Sequence, residues 1–190
     1  MSLHADAYQL LAGWAAPDDR QAAMRASYLT HLQSHPDAME RSCLPQHLTA
    51  SAIVITDDGT RVLLTLHRRL RRWLQTGGHC EDGDASVRAA ALREATEESG
   101  IASLRVDPVP LRLDRHTLSC GGRADAEHLD VQMLATAPVD AVPAISAESL
   151  DLAWFDVDAL PETDDSVRAL VIAARRRLRA ADLGPTPPRA

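Results

Sequence analysis

The chain contains no lysine: all twenty of its cationic side chains are arginine. This absence excludes catalysis through a lysine Schiff base and phosphate binding through a P-loop lysine. Aromatic residues make up only 3% of the 190, too few for the stacking platforms on which single-stranded nucleic acid lies. There are three cysteines, Cys43, Cys80 and Cys120, widely spaced and without a C-x-x-C pair. Neither a disulfide framework nor a zinc finger is expected, and a reducing cytoplasm is the expected compartment. No apolar run approaches 18 residues, so no transmembrane helix is expected. Met1 to Trp14 reads as an amphipathic helix rather than a signal peptide. The net charge of −7 disfavours nucleic-acid polymers and membrane surfaces as partners; a small anion stays compatible if a metal or local arginine offsets the repulsion. No G-x-G-x-x-G and no G-x-S-x-G occurs, which removes dinucleotide-binding and serine-hydrolase readings.

What is present divides the chain into three parts. Apolar residues at 45% and charged residues at 25% suit one soluble domain with an extension. Residues 1–44 form a helical extension. Leu3, Ala7, Leu10, Leu11 and Trp14 recur at helical spacing until Gly13 and Pro17 close the segment. Asp18 or Asp19 then caps a second helix running from Gln21 to about Ser34. Such a hairpin is too small to stand alone, so it packs on the rest of the chain or on a second copy of it, which leaves a homodimer open.

Residues 45–182 are the main domain. Strands are predicted at Ala50–Ile55, Arg61–Leu66, Trp73–Gln75, Val109–Arg115, Leu129–Ala135 and Leu152–Phe155, with helices from about Ser86 to Ser99 and Asp164 to Ala181. Strands on both sides of a central helix, followed by a terminal helix, give an α/β sandwich. Residues 183–190, rich in proline, form a flexible tail.

The chemistry concentrates in Gly77-Gly78-His79-Cys80-Glu81-Asp82-Gly83-Asp84 and the following Arg93-Glu94-Ala95-Thr96-Glu97-Glu98-Ser99-Gly100-Ile101. At about 100° per residue, Glu94 and Glu98 lie roughly 40° apart on a helix, with Glu97 on the flank. Three carboxylates on one third of the circumference are placed to share hard cations. Arg93 stands four residues before Glu97, at ion-pair spacing. Val87, Ala91 and Ala95 share the azimuth of Glu94 and Glu98, so these acids point toward the protein body, where unpaired charge is costly.

This segment resembles the Nudix box, G-x5-E-x7-R-E-aliphatic-x-E-E-x-G-aliphatic. Gly78, Arg93, Glu94, Glu97, Glu98, Gly100 and Ile101 match directly. Asp84 stands where the family has Glu, the spacer from Asp84 to Arg93 is one residue longer, and Ala95 is smaller than the usual aliphatic. The extra residue falls before the helix, where insertion costs little. The resemblance implies an α/β/α sandwich with a mixed sheet, preceded here by the helical hairpin. It also implies a hydrolase that uses Mg²⁺ or Mn²⁺ to cleave the diphosphate bond of a nucleoside diphosphate linked to another moiety, by water attack at phosphorus. By transfer, Glu94, Glu97 and Glu98 are metal ligands with the Gly78 carbonyl, and Arg93 orients them. Glu148 is a candidate base from a later loop, beside the helix glutamates.

Substrate contacts are expected from Arg68, Arg115, His128 and Asp130. Arg68 belongs to a basic cluster with Arg69, Arg71 and Arg72, while His128 and Asp130 share one strand face opposite Leu129, Val131 and Met133. His79, Cys80, His116 and His128 are also weighed as a transition-metal site, although their spacing matches no ligand template. Two rival readings accompany the hydrolase. One is an enzyme like the isopentenyl diphosphate isomerases, which resemble this fold and use Cys and Glu beside a histidine-containing metal site. The other is a ligand-sensing module without catalysis. The intact Arg-Glu-x-x-Glu-Glu favours hydrolysis over both.

Overall fold

The computed structural model describes residues 1–118, 126–147 and 149–182. The extension folds as two helices, α1 (Leu3–Gly13) and α2 (Asp19–Ser34). Ser2 caps α1 by accepting from the Ala5 amide, and Asp18 caps α2 by accepting from the Gln21 amide at 2.8 Å, so of the two aspartates weighed for this cap the first is used. Among the described residues eight strands follow: β1 (Gln46–Thr56), β2 (Arg61–His67), β3 (Trp73–Leu74), β4 (Thr76–His79), β5 (Arg105–Val106), β6 (Arg112–Leu118), β7 (Ala126–Ala137) and β8 (Ser149–Asp156). Helix α3 (Val87–Ser99) lies between β4 and β5, and α4 (Asp165–Asp182) ends the described chain.

The strands make one mixed sheet in which β3, β2, β1, β7 and β5 are successive neighbours, while β4 pairs β1, β6 pairs β7 and β8 pairs β2. Its centre is the parallel ladder of β1 and β7, in register from Gln46 opposite Glu127 to Thr56 opposite Ala137. This ladder carries both strands well beyond the predicted Ala50–Ile55 and Leu129–Ala135. Most of the added residues, among them Gln46, His47, Thr49, Glu127 and His128, are polar, and the pattern of apolar positions is blind to them. The strand predicted at Val109–Arg115 is shifted to Arg112–Leu118, because Pro110 has no amide to donate to a ladder. The two-residue β5 was not predicted.

Alternation along β1 and β7 gives the sheet two unlike faces. Leu48, Ala50, Ala52 and Val54 join Leu129, Val131, Met133 and Ala135 in a core with Ala7, Leu11, Trp14, Tyr28 and Leu32 of the extension and Val87, Ala91 and Ala95 of α3. On the other face, Ile53, Ile55 and Leu134 pack with Val167, Leu170, Val171 and Ala174 of α4. That second face turns polar toward the start of both strands, at His47, Thr49 and Ser51 beside His128, Asp130 and Gln132.

The extension therefore packs on its own domain, one of the two placements left open by the sequence, and it does more than cover apolar surface. Strand β6 pairs with β7 along one edge only, among the described residues. Gln21 of α2 satisfies the other edge, its amide donating to the Leu113 carbonyl (3.0 Å) and its carbonyl accepting from the Leu113 amide (2.7 Å). The Tyr28 hydroxyl donates to the Asp114 carbonyl and the Trp14 indole to the Pro110 carbonyl. An open edge is thereby closed without a further strand. Asp6 of α1 accepts from the Val87 amide at 2.8 Å. It supplies the negative charge that the first turn of α3 lacks on its own. No helix among the described residues is long and apolar enough to cross a membrane.

Gln21 is 1% exposed, so Gln21→Leu strands two backbone groups of β6 away from water. A loss of about 2–4 kcal/mol is expected, read from the urea midpoint at unchanged slope. Asp6→Ala, which removes a single cap, is expected to cost about 1 kcal/mol.

Candidate active site

Helix α3 starts where Ser86 caps it, accepting from the Ala89 amide at 3.0 Å, and stops at Gly100, whose left-handed backbone (φ 67°) accepts the chain reversal without strain. Between these ends Val87, Ala90, Ala91, Ala95 and Ser99 are buried. The Glu94 side chain, on the same side, is 15% exposed, whereas Glu97 on the flank is 61% exposed. The helix face thus points Glu94 inward as the spacing predicted.

The organising side chain is Arg93. Its Nε and Nη2 donate to the two carboxylate oxygens of Asp84 at 3.1 and 3.0 Å. Its Nη1 reaches Glu94 at 2.9 Å and Glu97 at 3.3 Å, and Nη2 also donates to the His79 carbonyl at 2.9 Å. One guanidinium therefore joins the turn before α3, two glutamates of α3 and the end of β4. The shorter Asp84 and the longer spacer still close on Arg93 in a two-pronged bond. Asp84 is held in place by its own turn, with its amide donating to the Glu81 carbonyl (2.9 Å) and its carboxylate accepting from the Glu81 amide (2.8 Å). Although burial raises the Asp84 pKa, the Arg93 and Glu81 hydrogen bonds outweigh it and hold this carboxyl below its usual range. Chiefly through Asp84, Arg93 is held still more firmly cationic, so it serves as a fixed charge.

The second wall is Gly77-Gly78. Gly77 has φ 150°, and a Cβ on it would lie 2.4 Å from that of Ser51; a Cβ on Gly78 would lie 2.7–2.8 Å from the Glu94 carboxylate. At Gly77, with its positive φ, only glycine permits this approach of β4 to β1, and at Gly78 the missing side chain leaves the place that the Glu94 carboxylate takes. The Gly77 amide donates to Glu98 at 3.4 Å. Carboxylates of Glu94, Glu97 and Glu98 with a nearby backbone carbonyl are the oxygen donors that Mg²⁺ and Mn²⁺ take, and the side-chain-free cradle at Gly78 fits a small hard cation. Convergence is looser than the helical wheel suggested, because Arg93 holds Glu97 on the exposed flank. The carboxylates of Glu94, Glu97 and Glu98 are not gathered into a cluster of ligand atoms within 4.8 Å of one another.

A family model described as NUDIX domain matches residues 45–177. The chain belongs to the Nudix family. No curated protein matches it, but solved structures do. The NUDIX domain of Shewanella oneidensis NrtR, complexed with ADP-ribose, aligns with a TM-score of 0.55 at 22% identity, over 73% of this chain and 92% of that one. A MutT NUDIX hydrolase from Burkholderia pseudomallei gives 0.53 at 24%, over 67% and 97%, and a NUDIX-family hydrolase from Clostridium perfringens gives 0.52 at 21%, over 71% and 97%. At these identities the likeness is one of fold.

In this Nudix chain the four residues predicted to touch substrate do not share one surface. Arg68 is exposed and donates to the carbonyls of Ala147 (3.0 Å) and Ser149 (3.4 Å). Glu148 lies outside the described residues, as does Cys120. Arg115 pairs with Leu129 in the β6–β7 ladder and points to the face opposite His128 and Asp130, where it donates to Ser27 Oγ at 2.7 Å. Asp130 is 2% exposed. Its oxygens accept from Thr49 (3.1 Å) and Ser51 (2.6 Å), and burial raises its pKa. These two bonds hold the carboxylate inside the sheet.

His128 is buried beside His79, His116 and His47. Desolvation, reinforced by the neighbouring rings, depresses His79 to about 4 and His128 to about 3. Burial also lowers His47. His116 is the exception: burial opposes its charge, but the bond to Asp114 at 3.1 Å and nearby Asp130 raise it. Cys80, weighed with these histidines as a ligand, is not in the cluster of three that could hold a metal; His47 is. The Cys80 thiol is pushed up to about 12 by burial, with Asp84 and Asp130 adding to the effect. Sequence reasoning missed His47 because only the parallel register with β7 sets it beside His128. It missed Asp6 and Gln21 because their partners lie 81 and 92 residues away.

Asp84→Asn is expected to destabilise the protein by about 1–3 kcal/mol at pH 7, as a charged two-pronged bond is lost. The folded pKa of Asp84 lies below the unfolded value of 3.8. Its contribution is therefore complete above that pH and disappears as pH falls through the lower folded value. Urea midpoints of wild type and variant should differ at pH 7 and converge as pH falls well below 3.8.

Proposed function

We propose that the protein is a metal-dependent Nudix pyrophosphohydrolase, cleaving the diphosphate bond of a nucleoside diphosphate linked to another moiety by water attack at phosphorus. The observation that carries this reading is the Gly78–Glu94 cradle with Arg93 locked beside it. It brings the Gly78 backbone against the Glu94 carboxylate, closer than a side chain would allow, with Arg93 bonded to that carboxylate. Glu94, Glu97, Glu98 and the Gly78 carbonyl would hold Mg²⁺ or Mn²⁺. Such a cation supplies charge neutralisation for the diphosphate and lowers the proton affinity of the attacking water.

The chain's own residues do the rest. Arg93, a permanent cation, bonds Glu94 and Glu97 and fixes the direction of their carboxylates. One of the α3 glutamates, or Glu148, takes the proton from the attacking water. Arg68, which donates to the Ala147 and Ser149 carbonyls, would meet a phosphate of the substrate. The domain from residue 45 onward carries the chemistry, and the extension holds α3 and the β6 edge in position. The ligand of the Shewanella domain, ADP-ribose, is a nucleoside diphosphate joined to a sugar, and it supports this substrate class.

The test is a panel of ADP-ribose, other nucleotide sugars, dinucleoside polyphosphates and nucleoside triphosphates with Mg²⁺ or Mn²⁺, with products separated by anion exchange. Turnover of a diphosphate-linked member is expected, with Glu98→Gln lowering kcat on the order of 10²-fold or more at an unchanged circular dichroism spectrum. Tight binding of a panel member without turnover overturns hydrolysis in favour of ligand sensing. Turnover of isopentenyl diphosphate alone overturns it in favour of isomerisation.

A further inference from the structure

Outside the carboxylate helix, three imidazoles meet at the polar start of the β1–β7 ladder. His47 and His128 are register partners across that ladder, and His79 ends β4, which pairs with β1 through Thr49. Ring centroids are 4.9 Å apart for His47–His128 and His79–His128, and 5.1 Å for His47–His79. One ligand nitrogen from each lies within 4.8 Å of the other two. The Nε2 atoms of all three are inaccessible to solvent and have no hydrogen-bond partner. His47 and His128 are buried almost completely, at 1% and 5% exposure.

Buried polar atoms are normally satisfied, and each that is not costs stability. Three such nitrogens in one place can be satisfied together by one donor or one cation. The tautomer of His47 points the same way. Its Nδ1 lies 3.2 Å from the Cys43 carbonyl, which can only accept, so Nδ1 carries the proton and Nε2 presents a lone pair. A carbonyl that orients an imidazole in this manner is the usual outer support of a metal-bound histidine. Three nitrogens no more than 4.8 Å apart share a point at most about 2.8 Å from each, against roughly 2.0–2.1 Å for a Zn–N bond. Side-chain shifts under about 1 Å close that gap.

We propose that His47, His79 and His128 form a second metal site, taking Zn²⁺ or a similar imidazole-preferring divalent ion, with water completing the coordination. Neutral nitrogen donors select such ions over Mg²⁺, whereas the carboxylates of α3 select the reverse. The two sites are segregated by ligand hardness and joined by one residue: His79 follows Gly78, and its carbonyl accepts from Arg93. A cation held here pins the end of the four-residue β4 to β1 and β7, and with it the glycine turn on which Glu94 packs. The site stands whether or not α3 turns over a diphosphate.

The experiment takes the full chain stripped of metal, dialysed into excess Mg²⁺ and titrated with Zn²⁺ or, for a visible spectrum, Co²⁺. One equivalent is expected to bind despite the Mg²⁺, to raise the melting temperature, and to give the visible bands of nitrogen-ligated Co²⁺. His47→Gln and His128→Gln should each weaken binding by at least about 100-fold, a change no smaller than that from losing an outer support. Glu98→Gln should leave it unchanged. If the histidine variants fail to fold, X-ray absorption on the zinc-loaded wild type decides, with three imidazoles in the first shell expected. Failure to retain Zn²⁺ in Mg²⁺, a first shell of oxygens only, or loss of the equivalent in Glu98→Gln overturns the proposal.

Discussion

The five hydrogen bonds of Arg93 are the constraint on which the site depends. They tie the Asp84 turn, Glu94 and Glu97 of α3, and the carbonyl of His79 to one planar cation. A lysine could not replace it, since an ammonium has three donors around a point and no fork to hold a carboxylate by both oxygens. Without this cation, the carboxylates of α3 would repel one another beside a buried glycine turn. With it, their directions are set before any ligand arrives, so little reorganisation is left for the moment of binding.

The same economy of contacts explains the extension. A two-helix hairpin could have been an appendage, but its side chains complete the sheet. Gln21 and Tyr28 take the place of a ninth strand along β6, Trp14 secures the Pro110 carbonyl, and Asp6 adds the missing negative charge at the start of α3. Detaching the hairpin would expose Leu11, Tyr28 and Leu32 together with their partners on β7, and would also unseat the helix that carries Glu94 and Glu98. The extension is thus mechanically continuous with the candidate site.

The parallel β1–β7 ladder divides the remaining work between the two sheet faces. One is apolar along the ladder and buries α3 and the extension. The other is apolar under α4 and polar where the ladder begins, where Asp130 is held by Thr49 and Ser51 and the histidines collect. Arg115 falls on the first face and His128 and Asp130 on the second, so one strand pair feeds two different environments. A substrate surface drawn through all three is geometrically closed off. Of the four, Arg68 and Arg115 are exposed, and it is the Arg68 guanidinium that reaches the Ala147 and Ser149 carbonyls.

Much of the fold was legible in the chain because its signals are local. Apolar spacing marked the four helices, Ser86 and Gly100 bracket α3 through bonds only a few residues long, and the Arg93-to-Glu98 pattern carries the family likeness within one helix. Strand limits were less legible, since the ends of β1 and β7 carry mostly polar residues, such as His47, Thr49 and His128, that are nevertheless buried. What the sequence by itself determined is therefore the helix with its acids, the glycine turn and six of the eight described strands. Only the tertiary structure decided which edge the extension closes, that Asp84 despite its shorter side chain still reaches Arg93, and that His47, His79 and His128 face one another. Those outcomes depend on register and on pairings between residues as far apart as Trp14 and Pro110, where no spacing rule in the chain operates and only packing selects the partner.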